Sequence, residues 1–307
     1  MKLSVIVVTW NSAADIDACI DAINYGEEFE VIVVDNASSD ATVENLRRHH
    51  QLRLIENQRN LGYAAANNQG IKAATGEYIL LLNPDTRVEL GALDALSRYL
   101  DEHLEVGAVA PRLVSPDGKT QFSIRSSPTS ASLFWELTGL ARLFPKSRVF
   151  GRWKMKYFDY ESTAEVEQPM ASCLMLRRTV LSGGDMTQLS PIGIVSQAGP
   201  RTSTGVMDEQ FPMFYNDVDL SKRMADAGWK TVYIPDARVV HRHGASTRQV
   251  RAKMIRESHR SAFRYLRKHD HSGLFWLKAI VLLPLFEVTS LLRVIAHRLR
   301  RRESDRA

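Results

Sequence analysis

The first hundred residues alternate between short, almost wholly apolar runs and longer amphipathic stretches. The apolar runs are "LSVIVVTW" (3–10), "EVIVVDN" (30–36), "LRLIEN" (52–57) and "YILLLNPD" (78–85). Aliphatic runs of this length, bounded by turn residues, predict buried strands. The stretches between them predict helices: "SAADIDACIDAIN" (12–24), "SDATVENLRRHH" (39–50), "GYAAANNQGIKAA" (62–74) and "ELGALDALSRYLDEH" (89–103). Ser12 is the expected N-cap of the first, with Asp15 as its capping partner three residues on. The second is acidic early and basic late, as the helix dipole prefers.

Strands apolar along their whole length, each followed by a helix, predict an α/β fold: a mostly parallel, Rossmann-like sheet with helices on both faces. Ligands of such sheets bind beyond the carboxyl ends of the strands. Three of the strands run into polar residues there: Thr9 and Asn11, Asp35 and Asn36, Asn83 and Asp85. These residues are expected to share one rim. Asn83-Pro84-Asp85 is also turn chemistry, so Asp85 reads either as a turn aspartate or as part of a site.

Past residue 105 the pattern loosens. "VGAVAPRLVSPDGKTQFS" predicts strand, turn, strand, and "PMASCLMLRR" (169–178) another strand. Residues 125–168 show no clear period. "DVDLSKRMADAGW" (217–229) predicts a helix, and "KTVYIPDARVVHRHG" (230–244) a strand, a turn at Pro235-Asp236 and a second strand. From Arg248 the chain reads as basic and helical.

Composition, 44% hydrophobic and 24% charged, is that of a globular protein rather than a disordered one. The net charge of +5 is concentrated after Arg242 and near the C-terminus. Basic sequence beside apolar sequence favours anionic lipid over nucleic acid. The two cysteines, Cys19 and Cys173, have no CxxC neighbour, which argues against zinc clusters and disulfide frameworks and for a reducing compartment. The opening apolar run is too short for a signal peptide, so a cytoplasmic location is expected. No GxGxxG follows the first strand and no GxxxxGK[ST] occurs, so neither a dinucleotide fingerprint nor a P-loop is supported.

Near the end, "GLFWLKAIVLLPLFEVTSLLRVIAHRLRRR" (273–302) is apolar with Lys278, Pro284 and Glu287 inside it. A spanning helix needs about 20 predominantly apolar residues. The interior charges favour a helix or helical hairpin on the membrane surface, drawn to anionic lipid by the preceding basic stretch. The alternative is a helix packed on the rest of the chain or on a dimer partner.

Seven segments, in order, carry a family resemblance: "VVTWNSAADI", "VVDNASSDAT", "NLGYAAANNQGI", "YILLLNPDT", "ASCLMLRR", "MDEQFPMFYNDVDLSKRMADAGW" and "IPDARVVHRHGAS". Together they resemble the family 2 glycosyltransferases of GT-A fold, in particular their rhamnosyltransferase-like branch. The resemblance implies a GT-A domain over residues 1–247, with a nucleotide-binding half (1–104) and an acceptor-binding half (105–247), followed by a basic, amphipathic helical segment (248–307). It also implies an inverting, metal-dependent transfer of a sugar, L-rhamnose or another hexose, from a dTDP- or UDP-sugar. The acceptor would be a hydroxyl of a cell-envelope glycan or polyprenyl-linked saccharide. The enzyme would sit peripherally on the inner face of the cell membrane, without nucleic acid, as a monomer or homodimer.

The chemistry asks for particular residue types. A leaving nucleoside diphosphate gains charge, which a hard divalent cation (Mn²⁺ or Mg²⁺) stabilises. Asp85 is the candidate ligand; of the family's usual Asp-x-Asp only the second acid is present, Asn83 replacing the first. His241, ending the last core strand, is the second candidate, and His243 would share its face in a strand. Asp35 resembles the family's base-binding aspartate, since a carboxylate accepts the N3–H of uracil or thymine; Thr9 and Asn11 would line the same pocket. Asn60, Gly62 and Asn68 belong to the segment expected near phosphate or ribose. Asp217 falls on the family's catalytic base, in "FYNDVDL" where Glu-Asp is usual, and would take the acceptor's proton. Structural readings stand beside each: an Asx turn for Asp35, helix–sheet packing for the alanine-rich helix, helix N-terminal acids for Asp217 and Asp219. Where the family usually has only a few residues, this chain carries 184–206, rich in Gly, Ser, Thr and Pro, which reads as a mobile lid or acceptor-recognition loop, or as a tolerated surface insertion. Competing readings are a nucleotidyltransferase, disfavoured by the missing Gly-rich phosphate loop, and a degenerate nucleotide-sugar-binding module, disfavoured by the presence of Asp85, Asp217 and His241.

Overall fold

The computed structural model describes residues 1–26, 28–181, 204–242 and 251–304. Most of the stretch 184–206, and His243, lie outside the described residues. The chain divides into two compact units, one of residues 1–124, 159–212 and 216–243, the other of residues 125–158, 213–215 and 244–307.

The first unit is built on one sheet. Its main strands are β1 (Leu3–Thr9), β2 (Phe29–Asp35), β3 (Leu52–Glu56), β4 (Tyr78–Leu82), β5 (Thr86–Val88), β6 (Val106–Val114), β7 (Cys173–Arg177) and β8 (Lys230–His241). They lie in the order β3-β2-β1-β4-β7-β6-β8-β5. The pairs β3–β2, β2–β1, β1–β4 and β6–β8 are parallel; β7 is antiparallel to both its neighbours, and β5 to β8. This is the mostly parallel sheet expected of a GT-A fold.

The continuous apolar character of the strands follows from burial on both faces. Successive side chains alternate between two cores. Val5, Val7, Val33, Leu80 and Leu82 face helices α1 (Ile16–Asp21) and α4 (Ala92–Glu102) through Ile16, Cys19, Leu93 and Leu96. Ile6, Val8, Ile32, Ile79 and Leu81 face helices α3 (Tyr63–Ala73) and α6 (Asn216–Asp226) through Ala64, Ala66, Leu220 and Met224. Gly70 explains the small residues of α3: a Cβ there would lie 2.5 Å from Cγ2 of Ile6. The helix therefore sits close against β1.

Four local expectations need correction. The helix expected over 12–24 is confined to α1, with Asp15 rather than Ser12 in the cap position and no side-chain cap bond; the Ser12 hydroxyl meets the backbone of Trp10 (3.4 Å) and its amide donates to the Thr42 hydroxyl at 2.8 Å. The helix expected over 39–50 shortens to α2 (Thr42–Leu46). Pro235-Asp236 does not separate two strands. It sits in a β-bulge inside β8, where the register against β6 shifts between Ile234 and Arg238; a bulge removes the need for the amide that proline lacks. And "SASLFWELT", within the stretch without clear period, forms α5 (Ser130–Thr138). Its capping box pairs Thr129 with Ser132, each side chain bonding the other's amide, and serine at the third position hides the usual Glu or Gln signature.

The second unit holds α5, α7 (Arg251–His269) and α8 (Phe275–Ser304). Aromatic rings bind it together: Trp153 stacks on Tyr215, and Phe263 of α7 meets Phe275 and Phe286 of α8 at ring-centre distances of 5.7 and 6.4 Å. Within α8, Phe275–His297 is long and apolar enough to cross a membrane. Lys278 does not spoil its apolar surface, because its ammonium is paired with Asp270 at 2.8 Å.

Replacing Gly70 by alanine overpacks the α3–β1 contact, a change that costs about 1–3 kcal/mol. Urea denaturation of Gly70→Ala is expected to show a lower midpoint at unchanged slope; an unchanged midpoint would mean that α3 moves away from β1 without cost.

Candidate active site

The parallel register sets Thr9 opposite Asp35 at the carboxyl ends of β1 and β2. The Thr9 hydroxyl donates to Oδ1 of Asp35 at 2.9 Å. Ser38 donates twice to the same carboxylate, from its amide to Oδ2 (2.9 Å) and from its hydroxyl to Oδ1 (2.5 Å). Asn11, with a left-handed φ of 49°, folds over the same loop. Its amide donates to the Ser38 hydroxyl and its Oδ1 accepts from the Ser39 amide, both at 2.8 Å. Thr9, Asn11 and Asp35 thus form one network through Ser38.

Beside it, Asn36 ties the third strand's exit to α3. Its Nδ2 donates to the Gly62 carbonyl (3.2 Å), and its Oδ1 accepts from Asn57 (3.0 Å). Asn60 accepts the Gly62 amide at 2.9 Å. Gly62 has a φ of 91°, and a Cβ there would lie 2.8 Å from the Pro212 carbonyl oxygen. That close approach lets Pro212 accept the Tyr63 amide at 2.6 Å. Asn68 faces another way: its side chain exchanges bonds with the backbone of Met207 (2.9 and 3.0 Å) and donates to Glu209 (3.0 Å).

The third cluster follows the turn after β4. Asn83 is anchored on both sides, its amide donating to Ser172 O (2.9 Å) and its Oδ1 accepting from the Tyr63 hydroxyl (3.1 Å). Asp85 then leads into β5, whose antiparallel register places Thr86 opposite His241. As a result Nε2 of His241 lies 3.5 Å from Oδ1 of Asp85, with the two side chains 2% and 9% exposed. Gln121 holds the histidine from behind. Its Oε1 lies 2.9 Å from Nδ1, and its Nε2 donates to the His241 carbonyl at 2.7 Å. A carbonyl oxygen at Nδ1 requires a proton on that nitrogen, so in the neutral ring Nε2 carries the lone pair and faces Asp85.

Asp217 stands in the first turn of α6. Its Oδ2 is 3.3 Å from Nε2 of Gln168 and 3.4 Å from the Ala171 amide, and its Oδ1 accepts the Val218 amide at 2.9 Å. Asp219 serves differently: fully buried, it pairs with Arg223 at 2.7 Å inside the helix. Tyr63 links the carboxylates. Burial, then the Asp217 charge and more weakly that of Asp85, push its hydroxyl well above the usual tyrosine range.

An oxygen and an imidazole nitrogen 3.5 Å apart suit adjacent positions on one hard cation, whose bonds run about 2.0–2.1 Å for Mg²⁺. Among the described residues, no group of three or more His, Cys, Asp or Glu side chains is arranged to hold a metal ion. A cation here would draw its remaining ligands from solvent or substrate.

Several contributors were not singled out by sequence. Ser38 had a local signal, since the composition of "DNASS" is turn chemistry. Gln121, Gln168 and Tyr63 had none, because each reaches its partner only through the fold.

Residues 4–164 match the model of the Glycosyl transferase family 2. Over 296 residues the chain is 27% identical to the N-acetylglucosaminyl-diphospho-decaprenol L-rhamnosyltransferase of Mycobacterium tuberculosis, covering 90% of this chain and 87% of that one. It is 28% identical over 187 residues to the poly-beta-1,6-N-acetyl-D-glucosamine synthase of Staphylococcus epidermidis, covering 51% of this chain and 45% of that one. Among solved structures, the Pyrobaculum calidifontis mannosyltransferase PcManGT with GDP-Man and Mn²⁺ matches with a TM-score of 0.55 at 18% identity, over 96% of this chain and 75% of that one. TarS of S. aureus with UDP matches at 0.52 and 16%, over 89% and 72%. These structures share the fold.

The cysteines supply a direct check of the packing beneath the rim. Burial pushes the Cys19 thiol, under Asn83 and Thr86, up to about 12, and raises Cys173 as well. At pH 8 both are expected to stay protonated and unreactive toward a thiol reagent in the native chain, and to react after denaturation. Rapid labelling of the native chain would contradict the placement of β4 and α1.

Proposed function

Because the chain belongs to the glycosyl transferase family 2, we propose that it transfers a hexose from a dTDP- or UDP-sugar to a hydroxyl of a lipid-linked saccharide or cell-envelope glycan. Likeness to the mycobacterial enzyme favours L-rhamnose as the sugar and a polyprenyl-diphosphate-linked acceptor. The observation that carries the reading is the pairing of Asp85 with an oriented His241, in a fold whose solved relatives include one with a nucleotide-sugar and Mn²⁺.

The roles follow from the contacts. Thr9 and Ser38 fix the Asp35 carboxylate, leaving it acceptor capacity for a pyrimidine N3–H. Asn11, Asn60, Gly62, Asn68 and Asn83 shape the surrounding nucleotide site, the last four through the contacts that seat α3 and the turn after β4. Asp85 and His241 would hold Mn²⁺ or Mg²⁺, with Gln121 setting the histidine's tautomer. A bound cation offsets the charge that builds on the departing diphosphate. Asp217 is the general base. It takes the acceptor hydroxyl's proton as that oxygen bonds to the anomeric carbon, while the carbon–oxygen bond to the nucleoside diphosphate breaks on the opposite face; the outcome is inversion. Its bonds from Gln168 and the Ala171 and Val218 amides keep the carboxylate in place. The apolar α8 and the basic sequence before it support a position at the inner face of the cell membrane, where a lipid-linked acceptor would be presented.

Two substitutions test these roles. Asp217→Asn is expected to lower kcat by about 10²–10⁴, the usual contribution of a positioned base, with donor affinity retained; near-normal kcat would remove Asp217 from the chemistry. Gln121→Ala is expected to weaken Mn²⁺ affinity by about 10–100-fold, the typical effect of losing a partner that orients a ligand, measured by metal titration without substrates. Unchanged affinity would leave Gln121 a purely structural clamp.

A further inference from the structure

Within the second unit, α7 and α8 enclose a groove of about 570 Å³ that the proposed transfer reaction does not use. One wall carries Arg256, Arg260 and Arg264, spaced four residues apart and hence on one face of α7. The other is mainly apolar, with Leu283, Phe286, Val288 and Leu291 from α8. Arg264 is paired with Glu257 at 2.8 Å. Arg256 and Arg260 are exposed and make no ion pair among the described residues. A single acid, Glu287, shares the lining. Next to the groove α8 exposes large apolar side chains, among them Trp276, Leu277, Ile280, Leu291 and Leu292, each more than half accessible.

We propose that this groove binds the phosphate headgroup of an anionic membrane phospholipid. Guanidinium groups match phosphate oxygens in geometry and charge. An apolar wall continuous with an exposed apolar helix face offers the acyl chains a path that a soluble phosphate would not need. A partner protein of ordinary surface polarity would leave either the arginines or the apolar face unmatched, whereas an anionic lipid matches both. The inference rests on the peripheral-membrane reading of the chain and narrows it: α8 supplies apolar attachment, and Arg256 and Arg260 supply selectivity for charge.

Co-sedimentation of the full chain with vesicles tests this. One set is phosphatidylcholine alone and the other contains phosphatidylglycerol; the comparison is between wild type, Arg256→Gln/Arg260→Gln, and Arg142→Gln/Arg267→Gln. The last pair removes the same charge from exposed positions outside the groove. Loss of the groove pair is expected to weaken binding to phosphatidylglycerol vesicles about 30-fold, the scale for two basic residues at a lipid surface, with little change on neutral vesicles. The control pair is expected to do distinctly less. Equal losses for the two pairs would overturn the groove as a site and leave general electrostatic attraction. Wild-type binding indifferent to lipid charge would do the same, leaving apolar attachment through α8. Failure of the wild type to bind either vesicle would overturn the membrane reading itself, and loss of the phosphatidylglycerol preference on adding inorganic phosphate at matched ionic strength would make the site one for soluble anions.

Discussion

The short antiparallel pairing of β5 with the end of β8 is the contact on which the candidate site depends. Thr86 pairs with His241, Arg87 with Val240 and Val88 with Val239. A shift of one residue would exchange the faces of all these side chains, turning Val239 and His241 out of their buried places. The apolar partners therefore fix the register, and the register carries His241 to Asp85. The Arg242 amide, donating to the Asp85 carbonyl at 2.9 Å, extends the pairing by one more bond. Residues 156 apart in sequence are joined by packing that is itself indifferent to chemistry.

Around that contact the fold gathers acids at a cost that neighbouring donors offset. Asp35 takes bonds from Thr9 and Ser38, and Asp217 from Gln168 and two backbone amides. Asp85 has an imidazole beside it. Asp35 ends β2, Asp85 lies between β4 and β5, and Asp217 opens α6, so their spacing is set by the packing of several elements rather than by any one loop. The Tyr63 hydroxyl reaches Asn83 in the turn before Asp85 and the carbonyl of Ala171, the residue whose amide reaches Asp217. The Tyr63 amide is accepted by Pro212, across the gap that only Gly62 leaves open. One glycine thereby couples the start of α3 to the segment that precedes α6.

Much of the first half was legible because its signals are local. Strands buried on both faces read as unbroken aliphatic runs, and the polar residues that end them lie on the rim of a parallel sheet. The same logic failed where tertiary contacts decide. Ser12 has the chemistry of a cap, yet its hydroxyl meets the backbone of Trp10, its amide donates to Thr42, and α1 begins later. Pro235 reads as a turn but sits in a bulge that β6 tolerates. Gln121 carries no motif, and its grip on His241 spans 120 residues of sequence. The Asn60–Asn68 segment was legible as a helix start but not in its contacts, because Asn68 meets a stretch of chain far beyond it.

The pairing of Asp85 with His241 as the seat of a cation that holds a nucleotide-sugar diphosphate is the centre of this account. Calorimetric titration of dTDP- and UDP-sugars into wild type and Asp85→Ala, with and without Mn²⁺, tests it most directly. The account predicts that one nucleotide-sugar binds the wild type far more tightly with Mn²⁺ present, and that Asp85→Ala loses this enhancement while keeping its fold. Equal binding by both proteins, with or without the metal, would contradict it and reduce Asp85 to a turn residue.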